Sequence, residues 1–304
     1  MNYQDALKKH LAKYKLDNLG IWEDGIWSKN KKPYPHILPA EHYRLNILET
    51  IRDQFWIYYE SDESGLSQKK HINFHHLNSS QAMCFNLFFP FIMDNNRYLP
   101  ILLDTLELPN DSVSEVSFEK ILNVEEGTNF DFYIKYENGM QILFELKLSE
   151  DSFGAGKRDQ KHQEKFNNIY KKLITNVVSK KYQTPSYFLR EYQLIRNFSY
   201  LGLSNQNFLF FIFPIINTSL DKAVDELFPD ILEEKFKDRV VVGYLENMVA
   251  ALESRFKDKE HTLLKEHFNE FAVKYIIKSN KIGAMEKSYF NKWFKSRKKK
   301  WKPI

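Results

Sequence analysis

Asp131, Glu145 and Lys147 lie in the stretch FDFYIKYENGMQILFELKL, residues 130–148, with the spacing D-x13-E-x-K. Two carboxylates and a neighbouring backbone carbonyl are hard oxygen donors of the kind Mg²⁺ or Mn²⁺ takes, and an amine beside them adds a positive charge. That chemistry requires the backbone to bring the three side chains together. Alternation shows how it does so. Phe130, Phe132, Ile134 and Tyr136 share one parity, as do Met140, Ile142, Phe144, Leu146 and Leu148, and the three charged residues fall on the opposite parity.

The stretch therefore reads as a β-hairpin, and its turn sets the register. A two-residue turn on Asn138-Gly139 would pair Phe132 with Glu145 and set an apolar face against a charged one. A three-residue loop, Glu137-Asn138-Gly139, with Gly139 left-handed in a bulge, pairs Tyr136 with Met140, Phe132 with Phe144 and Asp131 with Glu145. The apolar pattern selects the second register, because a one-residue slip would turn a buried face to solvent. Directly opposed carboxylates, with β-carbons about 5 Å apart, repel one another, so a positive group is expected between them.

This arrangement resembles the PD-(D/E)XK nuclease superfamily, and in particular its uncharacterised bacterial restriction-endonuclease-like members. The resemblance covers about residues 75–217. It implies an α/β fold: a restriction-endonuclease-like α-β-β-β-α-β core, its mixed sheet flanked by helices, with helical additions at both ends. It implies further that Asp131 and Glu145 hold the metal, that Leu146 lends its carbonyl, and that Lys147 orients or activates the attacking water. Phe130 stands where the family's first motif has proline, which leaves the ligand itself in place. The NSSQA stretch from Asn78 reads first as a capping box, with Asn78 as cap and Gln81 reaching back. The same stretch resembles one on the family's first core helix that sends a polar side chain to the site, which makes Gln81 a further catalytic candidate. A Q-x3-Y motif found in RecB-like members is met by Gln193, with Asn197 in place of the tyrosine, and Arg196 lies between them.

Other elements follow from pattern. Tyr3–Tyr14 has helical spacing, Asp24-Gly25 signals a small hairpin between Ile21-Trp22 and Ile26-Trp27, and a helix is expected over 41–59. His71, His75 and His76 lack the cysteines or carboxylates that would complete a zinc set. Val113, Val116 and Phe118 mark a first strand. Gly154-Ala155-Gly156-Lys157 fails as a phosphate-binding loop, since Asp151 and Arg158 stand where glycine and Ser/Thr are needed. A helix over 157–181 presents Lys157, Arg158, Lys161, Lys165, Lys171 and Lys172 on one face, placed to meet a phosphate backbone. Pro185 opens another helix. The apolar run 208–216 fits a strand covered on both faces and reached by a parallel crossover. Val240–Tyr244 adds an edge strand, and helices are expected near 245–256 and 260–277. Three segments result: 1–74 as an N-terminal elaboration, 75–217 as the core, and 218–304 as a helical extension.

The single cysteine, Cys84, excludes a disulfide framework, and the absence of a long apolar run predicts a soluble cytoplasmic protein without a membrane segment. The net charge of +4 is uneven: residues 278–304 carry ten Lys/Arg and one acid, leaving the remainder at −5. In this tail Lys295, Arg297, Lys298, Lys299 and Lys300 are interleaved with aromatics and are expected to bind nucleic acid. The combined expectation is a Mg²⁺- or Mn²⁺-dependent endonuclease acting on DNA, duplex rather than single-stranded, of restriction or phage-defence type. A homodimer and defence-system proteins are the expected partners. The alternatives are a nuclease-fold binding module that does not cut and a RecB-like repair exonuclease.

Overall fold

A computed structural model of the chain describes residues 2–256 and 259–277. The described residues form two compact units, one of residues 2–111 with those of 244–277, the other of residues 112–243. This division follows contacts rather than the three consecutive segments read from the sequence.

The first unit opens with α1 (Tyr3–Leu19), which is capped by Asn2 and closed by left-handed Gly20 and buries Leu7, Leu11 and Tyr14. The expected hairpin on Asp24-Gly25 does not form. Gly25–Ile26 pairs instead with Pro33–Tyr34, and Gly25 is needed for close approach rather than for a turn: a β-carbon there would stand 2.0 Å from the Leu38 carbonyl oxygen. The helix expected over 41–59 is likewise interrupted. Ala40–Asn46 and Glu49–Ile51 are 3₁₀ turns, and only α2 (Arg52–Glu60) is α-helical. The break sits at Ile47 and Leu48, both extended, where the Leu48 N–H donates to the side chain of Asn86 at 2.8 Å rather than to a carbonyl one turn back.

Next come α3 (Ser80–Asn96) and α4 (Leu99–Thr105); α3 is buried along most of its length. Its cap is Ser79, not Asn78: the Ser79 hydroxyl accepts from the Ala82 N–H.

The second unit is built on one five-stranded mixed sheet flanked by helices. Its strands are β1 (Val113–Ile121), β2 (Asn129–Tyr136), β3 (Gln141–Leu146), β4 (Asn207–Phe213) and β5 (Val240–Tyr244), ordered in space as in sequence. The pairs β1–β2 and β2–β3 are antiparallel, and β3–β4 is parallel. The hairpin has the register that alternation selects: Phe132 pairs with Phe144 and Ile134 with Ile142, the Tyr136 N–H donates to the Met140 carbonyl, and Gly139 has φ +89°. Phe118, Phe132, Phe144 and Phe210 run across four strands as a buried aromatic row with centroids 5.1–5.5 Å apart. That row fixes the sheet and leaves the charged parity to the other face.

The crossover from β3 to β4 holds α5 (Gln160–Lys165), a π-helical turn (Phe166–Tyr170), α6 (Lys171–Ile174), α7 (Pro185–Arg190) and α8 (Tyr192–Ser199). The helix read over 157–181 is thus shorter. Asp159 caps it by accepting from the His162 N–H at 2.9 Å, and Gly156, just upstream, is tied to the Leu189 carbonyl. After β4 come α9 (Thr218–Ile231) and α10 (Glu234–Lys237). Beyond β5 the chain returns to the first unit with α11 (Leu245–Glu253) and α12 (Thr262–Tyr275). Among the described residues no helix is long and apolar enough to cross a membrane.

Candidate active site

The hairpin register places Asp131 opposite Glu145 on β3 and, on its other side, opposite Glu119 on β1, since Phe118 pairs with Phe132 and Lys120 with Phe130. Three carboxylates thus share one row across three strands. The Leu146 N–H donates to Asp131 Oδ2 at 2.6 Å, which ties the first strand's acid to the backbone between Glu145 and Lys147. Burial, then the charges of Glu145 and Glu119, push the Asp131 carboxyl well above its ordinary value, against the pull of the Leu146 N–H and of Lys147.

Lys147 is buried, and its ammonium lies 2.8 Å from Glu145 Oε1 and donates to Gln193 Oε1 at 3.0 Å. Burial alone lowers the pKa of an amine, but Glu145, Glu150 and Asp131 together outweigh it and hold Lys147 above its usual value. The other Glu145 oxygen, Oε2, accepts from Asn197 Nδ2 at 3.2 Å. Gln193 and Asn197 stand one turn apart on α8 and meet the two members of the E-x-K pair. The glycine-rich loop supplies the floor beneath Gln193. Gly154, at φ +98°, accepts from the Gln193 N–H through its carbonyl, and a β-carbon on it would stand 2.6 Å from the Gln193 amide carbon.

Among the described residues no group of three or more His, Cys, Asp or Glu is arranged to hold a metal ion. Two carboxylates are nonetheless a fitting donor set for Mg²⁺, which commonly takes one or two from the protein and fills its octahedron with water and substrate phosphate. Both are hard oxygen donors, and each carboxylate oxygen can accept more than one interaction. Asp131 fits a cation in the same way: burial and the neighbouring carboxylates Glu145 and Glu119 disfavour its charged form, and a divalent ion would offset that.

Compared with known protein families, residues 8–276 match the one described as restriction endonuclease associating with ARP. The chain belongs to that family. A family of restriction endonucleases implies a nuclease. No curated protein and no solved structure matches the chain.

The remaining candidates of this restriction-endonuclease family member are placed as follows. Lys157, Arg158 and Lys161 are exposed on the loop before α5 and its first turn. Lys165 is half-buried and donates to the Glu126 carbonyl. Arg196 is turned inward rather than toward a ligand: its Nε donates to Glu126 Oε1 and to Thr128 Oγ1, each at 3.1 Å. The reason is Glu126, a buried carboxylate that also accepts from Thr128, Tyr170 and Tyr200. Burial would raise its pKa, but those hydrogen bonds and Arg196 outweigh it and hold it low. A charge so placed needs a partner, and Arg196 is that partner.

Gln81 lies in the first unit. Its amide donates to the Lys69 carbonyl at 2.9 Å and accepts from the His71 N–H at 2.9 Å, pinning the loop before the helix. Lys295, Arg297, Lys298, Lys299 and Lys300 lie outside the described residues. Sequence reading missed Glu119 and Asn197 as neighbours of the site. The signal for Asn197 was its place four residues after Gln193. Glu119 carried only its parity with Asp131 across the sheet.

Proposed function

We propose that this chain hydrolyses phosphodiester bonds in duplex DNA as a metal-dependent endonuclease of PD-(D/E)XK type, on a restriction-endonuclease-like core. The observation that carries the reading is the register: Asp131 opposite Glu145, with Lys147 two residues on and hydrogen-bonded to that same glutamate. Asp131 and Glu145 would hold Mg²⁺ or Mn²⁺, joined by the Leu146 carbonyl. A bound divalent ion would polarise the phosphate and ease ionisation of a water molecule.

The chain's own residues account for the rest. Glu145, braced on both oxygens, keeps its carboxylate in one orientation. Lys147 stays protonated, so it acts as a donor, steadying the water or the charge that develops on phosphate oxygens, rather than as a base that takes a proton. In the reaction the water oxygen bonds to phosphorus and the bond from phosphorus to the leaving sugar oxygen breaks; the water's proton passes to bulk solvent, and the leaving oxygen takes a proton from solvent to become the hydroxyl. Lys157, Arg158 and Lys161 are exposed cations that would meet the phosphate backbone beyond the scissile bond. The family's description names an association with ARP. We extend that association to this chain as its expected partner, in keeping with a role in defence against phage.

The test is incubation of the protein with supercoiled plasmid, linear duplex and single-stranded DNA, each with Mg²⁺, Mn²⁺ or EDTA. Nicking or linearisation of plasmid with either ion and none in EDTA is expected. Equal cleavage in EDTA would overturn metal dependence, and no cleavage of any substrate would overturn the reading. Degradation confined to linear ends would favour an exonuclease.

A further inference from the structure

The crossover from β3 to the parallel strand β4 requires a helix that runs back against the strand direction. The last helix of that crossover is α8, and its pairing with β3 is antiparallel: Gln193, earlier on the helix, meets Lys147, and Asn197, later, meets Glu145, earlier on the strand. The spacings match. Four residues along a helix advance about 6 Å, and two residues along a strand about 6.6 Å. One helical turn therefore spans the two working residues of an E-x-K strand, and a residue four after the glutamine faces the glutamate. In this chain that residue is an asparagine that is 4% exposed, with its amide on the one glutamate oxygen that the lysine does not hold.

We propose that Asn197 is the positioning residue for Glu145. It fixes the rotation of the carboxylate plane by donating to Oε2 while Lys147 holds Oε1, so that the oxygens' remaining lone pairs are aimed at the cation site. Without Asn197 the carboxylate keeps one anchor and is free to turn about it. The inference rests on the nuclease reading above and extends it to a side chain outside the D-x13-E-x-K set.

The test measures Mn²⁺ binding to the full-length protein without DNA, from the free-ion signal in electron paramagnetic resonance, and duplex binding in EDTA alongside it. Asn197→Leu removes the donor, Asn197→Gln retains one, and Glu145→Gln serves as the control. Mn²⁺ affinity is expected to fall by about 10- to 100-fold in Asn197→Leu, the range found when groups supporting metal ligands are removed. Asn197→Gln should recover part of the loss, with duplex binding in EDTA unchanged throughout. If Asn197→Leu does not fold, Asn197→Ala, which adds no volume, takes its place. Should both misfold, the residue is structural and the proposal falls. Wild-type Mn²⁺ affinity in a folded Asn197 variant, with binding lost in Glu145→Gln, overturns the proposal and leaves the metal site standing. Wild-type affinity in Glu145→Gln, or no binding by the wild type, overturns both.

Discussion

Asp131 sits between Glu119 and Glu145 in one row of the sheet, and burial and both neighbours disfavour its charged form. A carboxyl whose folded pKa lies above its unfolded value, about 3.9, contributes stability that is full below the unfolded value. That contribution is lost as pH rises through the raised folded value. Without divalent cation, the wild type should therefore lose stability on going from about pH 4 toward neutrality, whereas Asp131→Asn, which can still accept from the Leu146 N–H, should lose less. We expect Asp131→Asn to have a higher Tm than the wild type at pH 7–8 in EDTA and to have no cleavage activity. Mg²⁺ should raise the Tm of the wild type and not of the variant. A lower Tm for the variant in EDTA would contradict this account of Asp131. The pairing of Asp131 with Glu145 and Lys147 was legible because alternation and a short turn are local signals. Asn197 was not, since its partner lies 52 residues away across a crossover. The partner of Arg196 is hidden for the same reason: Glu126 is 70 residues distant and looks like any loop acid in the sequence.

At the scale of elements, strands were easier to read than helices. The apolar rows of β2, β3 and β4 have period two and bury both the register and the strand identity in the pattern itself. The helix over 41–59 has good periodicity, but Asn86 takes the Leu48 N–H and breaks it, and no property of residues 41–59 announces that. The loop with Gly154 and Gly156 lacks the residues of a phosphate-binding loop, and its glycines have a structural use. Gly154 combines φ +98° with backbone contact to the Gln193 amide. An alanine there meets strain from the left-handed backbone of about 1–2 kcal/mol, and its methyl displaces the Gln193 side chain that positions Lys147. Gly154→Ala should remain folded with a slightly lower Tm, bind duplex as the wild type does, and cleave about tenfold or more slowly. Steady-state cleavage beside duplex binding separates these effects; a wild-type kcat in this variant would mean that Gln193 does not need its floor.

At the scale of the whole molecule, charge is distributed in a way that suits a polyanionic substrate only in part. Residues 1–277 carry a net −5, so phosphate affinity has to come from local cations such as Lys157, Arg158 and Lys161 and from the basic residues of 278–304. Removing residues 295–304 deletes six Lys/Arg. If about four to six of those cations neutralise phosphates, the slope of log affinity against log salt should become shallower by about four to five units. Duplex binding by a Glu145→Gln variant, with and without those ten residues across a salt series, reads that slope, and an unchanged value would assign the tail to another partner. The central claim is narrower: Asp131, Glu145 and Lys147 act as one unit on a phosphodiester. Members of such a unit fail together, so removing two should lose little more than removing one. The most direct measurement is the plasmid-cleavage rate in Mg²⁺ of the wild type, Glu145→Gln, Lys147→Ala and the double variant, each checked for its fold. We predict cleavage by the wild type alone, with both single variants as inactive as the double. Cleavage by folded Glu145→Gln at a rate comparable to the wild type would contradict the account.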